Sequence, residues 1–231
     1  TLDRVDILAD GQPATCRTAV NHNGMLLLLH SKAFRYVYVE TEGNAAYSQL
    51  LMDYEYAPFD QERSGSFRCS DRQLNDIWKV GAYTMDLTTR EFFVDGIKRD
   101  RLVWLGDLNP EILTICNVFG SPAFDLVHKA LDFGSTGYPL PQWQNGMPSY
   151  SLWWIINQYD LFMYEGNLPY LKAQLPYIKG LVEQVAQNID PKTGREKIKG
   201  GFLDWPTSPD SVVVHAGMQA LCIMTFDAAK N

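Results

Sequence analysis

The chain lacks the motifs of several common enzyme classes. Its four cysteines, Cys16, Cys69, Cys116 and Cys222, are widely separated, and no pair has the spacing of a zinc or redox site. A glycine-rich nucleotide loop and a serine nucleophile elbow are also missing from the sequence. The cysteines are therefore predicted to be free thiols, and we expect neither a metal nor a cofactor.

Excess positive charge and long apolar runs are missing as well. The formal net charge is -7, whereas binding to nucleic acid needs a clustered basic surface. No apolar run approaches the roughly 20 residues that cross a bilayer. We therefore expect neither a nucleic-acid nor a membrane partner. The sequence begins at Thr1 without a charged and apolar leader, so cytoplasmic, periplasmic and extracellular locations all fit. The oligomeric state is not predicted.

The composition is that of a globular protein with a substantial core, because 46% of the residues are hydrophobic and 20% are charged. Aromatic residues make up 13%, including six tryptophans. Aromatic rings stack on the C–H faces of sugars, but most of them belong to cores. The composition therefore favours a carbohydrate ligand only where the position of an aromatic residue agrees.

The N-terminal quarter of the chain has the pattern of β-strands. Residues 25–29 form an apolar run, and residues 35–40 alternate β-branched and aromatic side chains. We interpret residues 1–65 as the C-terminal part of a β-domain, because they are too few for a complete sandwich. Residues 66–231 form the second predicted domain, which is helical.

Start and stop signals predict six helices in this second domain. The predicted first residues or caps are Ser70 in a capping box, Asn109, Ser121, Ser149, Asn167 and Ser211, and Pro176 is expected to kink or split the fifth helix. Long loops at 94–107, 135–148 and 190–209 alternate with short turns. In antiparallel helical hairpins this alternation places the long loops on one rim, where sites usually lie.

The first long loop is the strongest candidate site. Residues 95–107 contain three carboxylates, three cations and one indole, whereas a connecting loop is usually shorter and simpler. Residues 148–154 and 202–205, in or beside the other two long loops, are rich in tryptophan. The sequence therefore predicts a functional site at this rim.

These motifs resemble a known family. Asp95, Arg99-Asp100-Arg101, Trp104 and Gly106-Asp107 resemble the signature loop of the bacterial α-L-rhamnosidases of glycoside hydrolase family 78, which invert configuration. Residues 148–154 and 202–205 resemble the next two aromatic motifs of that family, in the same order. The resemblance implies a mainly α fold, the N-terminal half of an (α/α)6 toroid or six-hairpin glycosidase, preceded by the end of a β-sandwich domain.

The resemblance also implies roles for individual residues. Asp100 occupies the position of the general acid, where the family has a glutamate that is one methylene longer. The implied sugar-binding residues are Asp95, Arg99, Trp104, Asp107, Trp153 and Trp205. Structural alternatives remain open, since Asp100 could pair with its flanking arginines, Asp107 could cap a helix, and either Trp153 or Trp154 must pack between helices.

The predicted function is that of a bacterial enzyme of carbohydrate metabolism, which cleaves terminal α-L-rhamnosyl residues from glycosides or polysaccharides. Its expected partner is a rhamnose-containing carbohydrate. The family's general base is a glutamate downstream of the last motif, so we expect the 231-residue chain alone to be inactive. The alternatives are a non-catalytic carbohydrate-binding relative and a helical scaffold or interaction module.

Overall fold

The structure is a computed structural model that describes residues 2–9, 12–13, 19–22, 25–28, 33–44, 46, 48–49, 51, 53–54, 59, 64–98 and 100–230. The chain divides into two compact units. Residues 1–56 and 96–101 form the first, and residues 57–95 and 102–231 form the second. The first long loop is therefore shared between the two units.

The first unit contains antiparallel β-strands. They are β1 (Leu2–Ala9), β2 (Gln12–Pro13), β3 (Ala19–His22), β4 (Met25–Leu28) and β5 (Val37–Gly43). Three of them form a sheet in the order β2-β1-β5, while β3 and β4 form a separate pair. The strands at 25–28 and 37–43 lie where the sequence predicts them. A β-sandwich remains a prediction.

The second unit is helical, which confirms the predicted mainly α class. The residues described in this unit form six α-helices: α1 (Arg72–Thr88), α2 (Leu108–Val118), α3 (Phe124–Gly137), α4 (Pro148–Glu165), α5 (Leu168–Gln187) and α6 (Ser211–Lys230). All six were predicted. The boundaries differ at several ends.

The capping box predicted at Ser70 is wrong. The N-cap of α1 is Asp71, whose Oδ1 accepts a hydrogen bond of 2.8 Å from the backbone N–H of Gln73. The helix ends at Thr88, although the periodicity extends to Phe93, because residues 89–93 fold into a tight bridged turn. Apolar periodicity therefore continues here beyond the last helical residue.

The predicted cap of α2 is also wrong. Asp107 occupies the N-cap position, and its side chain makes no capping hydrogen bond. The side chain of Asn109 instead donates to Asn157 Oδ1 at 2.8 Å and to Asp160 Oδ2 at 3.0 Å. Because these acceptors lie on α4, contact between helices overrides the local capping preference.

The fifth helix runs through Pro176 without a break. Proline removes one hydrogen-bond donor, but this residue is exposed, so water can satisfy the carbonyl that loses its partner. The predicted cap is confirmed, since Asn167 Oδ1 accepts from the N–H of Tyr170 at 3.1 Å. Gly166 ends α4 with φ of +71°, a conformation that glycine adopts easily.

Helix α4 lies at the centre of the helical unit, where it contacts α2, α3, α5 and α6. Asn109 on α2 lies opposite Asn157, and Asn117 donates to Tyr164 at 3.0 Å, so the two helices run in the same direction. They therefore begin at the same end. The fully buried core side chains include Leu105, Leu108, Ile112, Ile115, Leu131, Leu152, Trp154, Ile155, Leu181 and Met218.

Helix α6 is long and apolar enough to cross a membrane by length and composition alone, with a mean hydropathy of 1.4. Polar residues interrupt the apolar ones in this helix, so it contains no continuous apolar run of that length. The core helix of a globular protein can have the same length and hydropathy. Here Val214, Met218, Leu221 and Cys222 pack into a buried cluster with residues of α4 and α5.

Candidate functional site

Asp95 closes the signature loop. Its Oδ1 accepts a hydrogen bond of 3.0 Å from the N–H of Leu102, and its own N–H donates to the Leu102 carbonyl at 3.2 Å. These two bonds hold residues 95 and 102 together at the base of the loop. The other carboxylate oxygen of Asp95 makes no hydrogen bond to the residues that the structure describes, and it can accept from a ligand.

Asn145 joins the first long loop to the second. Its Oδ1 accepts from the N–H of Leu105 at 2.9 Å, while its Nδ2 donates to the carbonyl of Val103 at 3.2 Å and to the hydroxyl of Tyr138 at 3.1 Å. Its φ of +50° is left-handed, which asparagine tolerates better than most residues. For these two loops, the prediction of a shared rim is confirmed.

An aromatic wall lies beside this junction. The rings of Trp104 and Tyr150 meet edge to face, with centroids 6.2 Å apart. Gly106 allows this approach, because a Cβ at that position would lie 2.2 Å from Cδ1 of Tyr150. The packing of Tyr150 therefore requires glycine at position 106, between Trp104 and Asp107.

Asp107 and Glu111 extend the site along α2. They are four residues apart at the start of the helix, so their side chains lie on the same side. Burial, and then the charge of Asp95, raises the pKa of Asp107. Burial, followed by the charges of Asp107 and Asp95, raises the pKa of Glu111 to about 8. The helix N-terminus favours an anion by only about 0.3–1 kcal/mol, which is too little to reverse this effect.

Tyr150 belongs to the same electrostatic group. Burial, and then the charges of Asp107 and Asp95, raises its pKa to about 12. Within the part of the chain that the structure describes, no hydrogen bond or ion pair neutralises the carboxyl of Asp107 or of Glu111. Such a surface offers hydrogen-bond acceptors to a neutral donor.

Metal ligands do not converge at this site. Among residues 64–98 and 100–230, no three His, Cys, Asp or Glu side chains lie close enough together to hold a metal ion. An open groove on the exposed face of α1, lined by Ile77, Val80 and Gly81, contains none of the predicted site residues. The acidic and aromatic cluster at the start of α2 therefore remains the candidate site.

The proposed acid belongs to the β unit. Asp100 and Arg101 have left-handed φ values of +45° and +54°, and both group with the β unit. Asp95 and Asp107 belong to the helical unit. Arg99 lies outside the described residues. The roles of Asp100 and Arg99 stay predictions.

The predicted tryptophans separate into different environments. Trp154 is fully buried, and its Nε1 donates to the Leu131 carbonyl at 2.9 Å, so it is the packing member of the pair. Trp153 is only partly buried, against the cluster that contains α6. Trp205 is 77% exposed and packs edge to face on Phe202. Of the three predicted tryptophans, only Trp104 belongs to the acidic cluster, and Trp205 is available to a ligand.

Comparison with known proteins identifies the family. Residues 62–220 match the family of the bacterial alpha-L-rhamnosidase 6 hairpin glycosidase domain. The chain belongs to this family. The match confirms the predicted six-hairpin fold class, because it covers most of the helical unit.

Two solved rhamnosidases have a similar fold. A family 78 rhamnosidase of Bacillus sp. GL1 is 20% identical with a TM-score of 0.63, and the match covers 86% of this chain and 24% of that one. A rhamnosidase from Klebsiella oxytoca with rhamnose bound is 18% identical with a TM-score of 0.51. That match covers 72% of this chain and 40% of the Klebsiella chain. The chain thus spans less than half the length of either. No curated protein matches it.

Glu111 is one residue of this rhamnosidase-family domain whose place at the site the motifs do not predict. Its four-residue spacing from Asp107 is visible in the sequence, but the structure is needed to show that it is largely buried and that no cation among the described residues lowers its pKa. The side chain of His215 on α6 is 57% exposed. Its Nδ1 contacts the carboxylate of Glu196, which is buried and accepts from the N–H of Ile198 at 2.8 Å.

Proposed function

We propose that this chain carries the sugar-binding side of a glycoside hydrolase that removes terminal α-L-rhamnosyl residues with inversion. The observation that carries the proposal is the group of carboxyls at Asp95, Asp107 and Glu111, whose charges act on one another and on Tyr150 of the Trp104–Tyr150 wall. Family membership supports the same conclusion.

The chemistry of this group matches a neutral sugar. A carboxylate can accept hydrogen bonds from two neighbouring hydroxyls, and such charge-assisted bonds are stronger than bonds between neutral groups. The indole of Trp104 offers an apolar surface to C–H groups and to the methyl of rhamnose. Because several carboxyls lie together, an anionic sugar would be repelled.

The proposed mechanism divides the reaction between two carboxyl groups. Asp100 protonates the leaving oxygen, and a second carboxylate roughly 6.5–9.5 Å from the acid activates water on the opposite face of the sugar. We place that base outside this chain, since the chain spans 24% and 40% of the two solved rhamnosidases. The chain therefore supplies the acid and the binding residues.

A non-catalytic carbohydrate-binding relative is the second candidate. It is favoured by the aspartate at position 100, where the family's acid is a glutamate. It requires the same binding site, so turnover separates it from the first candidate. A purely structural scaffold with all its aromatic residues in the core fits less well, since Trp205 is 77% exposed.

Calorimetric titration with three sugars tests the proposal. We expect L-rhamnose to bind roughly tenfold more tightly than L-mannose, which carries a hydroxyl on the methyl carbon that would face the aromatic wall. D-glucuronate should not bind, because its carboxylate is repelled. Absence of rhamnose binding, or equal binding of glucuronate, would refute the proposed site.

A further inference from the structure

We propose that Asn145 is a positioning residue of the sugar site, which holds the indole of Trp104 against the ring of Tyr150. The inference rests on the proposed sugar-binding function and deepens it. Selection for the methyl group of rhamnose is assigned to the fixed spacing of these two rings. Asn145 sets that spacing through the backbone on both sides of Trp104, so it need not touch the sugar.

The amide of Asn145 binds the two residues that flank Trp104. Its Oδ1 accepts from the N–H of Leu105 at 2.9 Å, and its Nδ2 donates to the carbonyl of Val103 at 3.2 Å. Leu105 is fully buried, so one side of this attachment lies in the core. The carbonyl of Trp104 accepts from the N–H of Asp107 at 3.0 Å, which ties it to the start of α2. Asn145 supplies the hydrogen bonds that join the same segment to the turn before α4.

The groups around the side chain of Asn145 match an amide. They are one donor, the N–H of Leu105, and two acceptors, the carbonyl of Val103 and the hydroxyl of Tyr138. Asn145 meets them with its oxygen and with both hydrogens of Nδ2. A carboxylate would keep the first bond and lose the other two. The φ of +50° further favours asparagine or glycine at this position.

The position of Tyr150 depends on the same short turn. Residues 144–146 form a 3-10 turn directly before α4. The N–H of Gln144 donates at 2.9 Å to Oγ of Ser151, a fully buried residue in the first turn of the helix and the neighbour of Tyr150. Both rings of the wall are therefore attached to one turn, Tyr150 through the helix and Trp104 through Asn145. This common attachment fixes the edge-to-face contact of the rings, whose centroids are 6.2 Å apart.

The carboxyl groups of the site do not depend on Asn145 in this way. Asp95 keeps its hydrogen bonds to Leu102, and Asp107 keeps its place at the start of α2. Loss of Asn145 should therefore disturb the aromatic wall and leave acceptors for the sugar hydroxyls. Discrimination between the methyl group of L-rhamnose and the hydroxymethyl group of L-mannose depends on the apolar wall, so that discrimination should be lost.

The test is calorimetric titration of the wild type and Asn145→Gly with L-rhamnose and L-mannose at pH 6.5. Glycine adopts the left-handed φ and removes all three hydrogen bonds. We expect the roughly tenfold preference for L-rhamnose to fall to within about twofold. Asn117→Gly is the matched control, because the amide of Asn117 also donates to a carbonyl, that of Leu113, and to a tyrosine hydroxyl, that of Tyr164. Asn117 lies at the opposite end of α2 from the wall, so this variant should keep the wild-type preference.

A double-mutant cycle tests whether Asn145 acts through Trp104. Asn145→Gly and Trp104→Ala should each weaken L-rhamnose binding about tenfold, and the double variant should also lose only about tenfold. Independent roles would multiply to about a hundredfold. Circular dichroism first establishes that each variant is helical. Asn145→Asp, which keeps the acceptor for Leu105 and loses both donors, should give the same result and takes the place of the glycine variant if that one does not fold.

The outcomes separate the two claims. An unchanged sugar preference in Asn145→Gly, an equal loss of preference in Asn117→Gly, or losses that multiply in the double variant would overturn the positioning role while leaving the sugar site standing. Failure of both Asn145 variants to fold would also overturn it, because Asn145 would then be required for folding. Equal binding of the two sugars by the wild type would do the same. Absence of L-rhamnose binding by the wild type would refute the proposed function, and the positioning role with it.

Discussion

Replacing Asp100 with asparagine should slow the hydrolysis of natural rhamnosides by roughly 10²–10⁴-fold, the usual contribution of a general acid. A natural alcohol leaves poorly unless its oxygen is protonated, and an asparagine amide cannot supply that proton. A dinitrophenyl rhamnoside carries a leaving group that needs no proton, so its hydrolysis should change little. The assay uses a chain long enough to include the proposed base.

The contrast between the two substrates identifies the role of Asp100. Asp125→Asn, at an exposed position on α3, should leave both rates unchanged. Equal loss on both substrates, with a raised KM, would make Asp100 a positioning residue. Unchanged hydrolysis of natural rhamnosides would place the acid elsewhere, and Glu111 is then the protonated carboxyl to examine.

The 231-residue chain alone should bind the sugar but show no turnover of an aryl α-L-rhamnoside. Inversion requires a base on the opposite side of the anomeric carbon from the acid. After Trp205 the chain offers Asp210, which caps α6 by accepting from the N–H groups of Val212 and Val213 at 3.0 and 3.2 Å, and Asp227 near the end of that helix. Neither fits the role of a base.

The comparison is made against a longer protein that contains the proposed remaining hairpins, at equal concentration of sites. Circular dichroism first confirms that the shorter chain is helical. Comparable turnover by both would show that the base lies within these 231 residues. The division of the active site proposed above would then be wrong.

The long helices were predictable because the signals that start and end them are local. Asn167 caps α5 and Gly166 ends α4, and both signals depend on the backbone within a few residues. The start of α2 was not predictable in the same way, since Asn109 bonds to Asn157 and Asp160 on a helix about fifty residues away. Contacts between helices decide such positions.

The residues of the candidate site also fall into two groups, those predicted from the sequence and those placed by the fold. The motif predicted Asp95, Trp104 and Asp107, and the structure brings these residues into one acidic and aromatic cluster. Tyr150 and Glu111 join that cluster through burial and the charges of neighbouring residues. A sequence shows spacing but neither burial nor the absence of a cation, so Glu111 could be found only after the helices were placed.

The most direct test of the central claim is the affinity of this chain for L-rhamnose before and after Asp107→Asn, measured by calorimetry at pH 6.5. Loss of one charged acceptor should weaken binding roughly 10- to 100-fold, because hydrogen bonds to charged groups contribute about 1.5–3 kcal/mol. Asp125→Asn serves as the matched control and should bind as the wild type does. Equal affinity of the wild type and Asp107→Asn, or no binding by either, would contradict the assignment of this cluster as the sugar site.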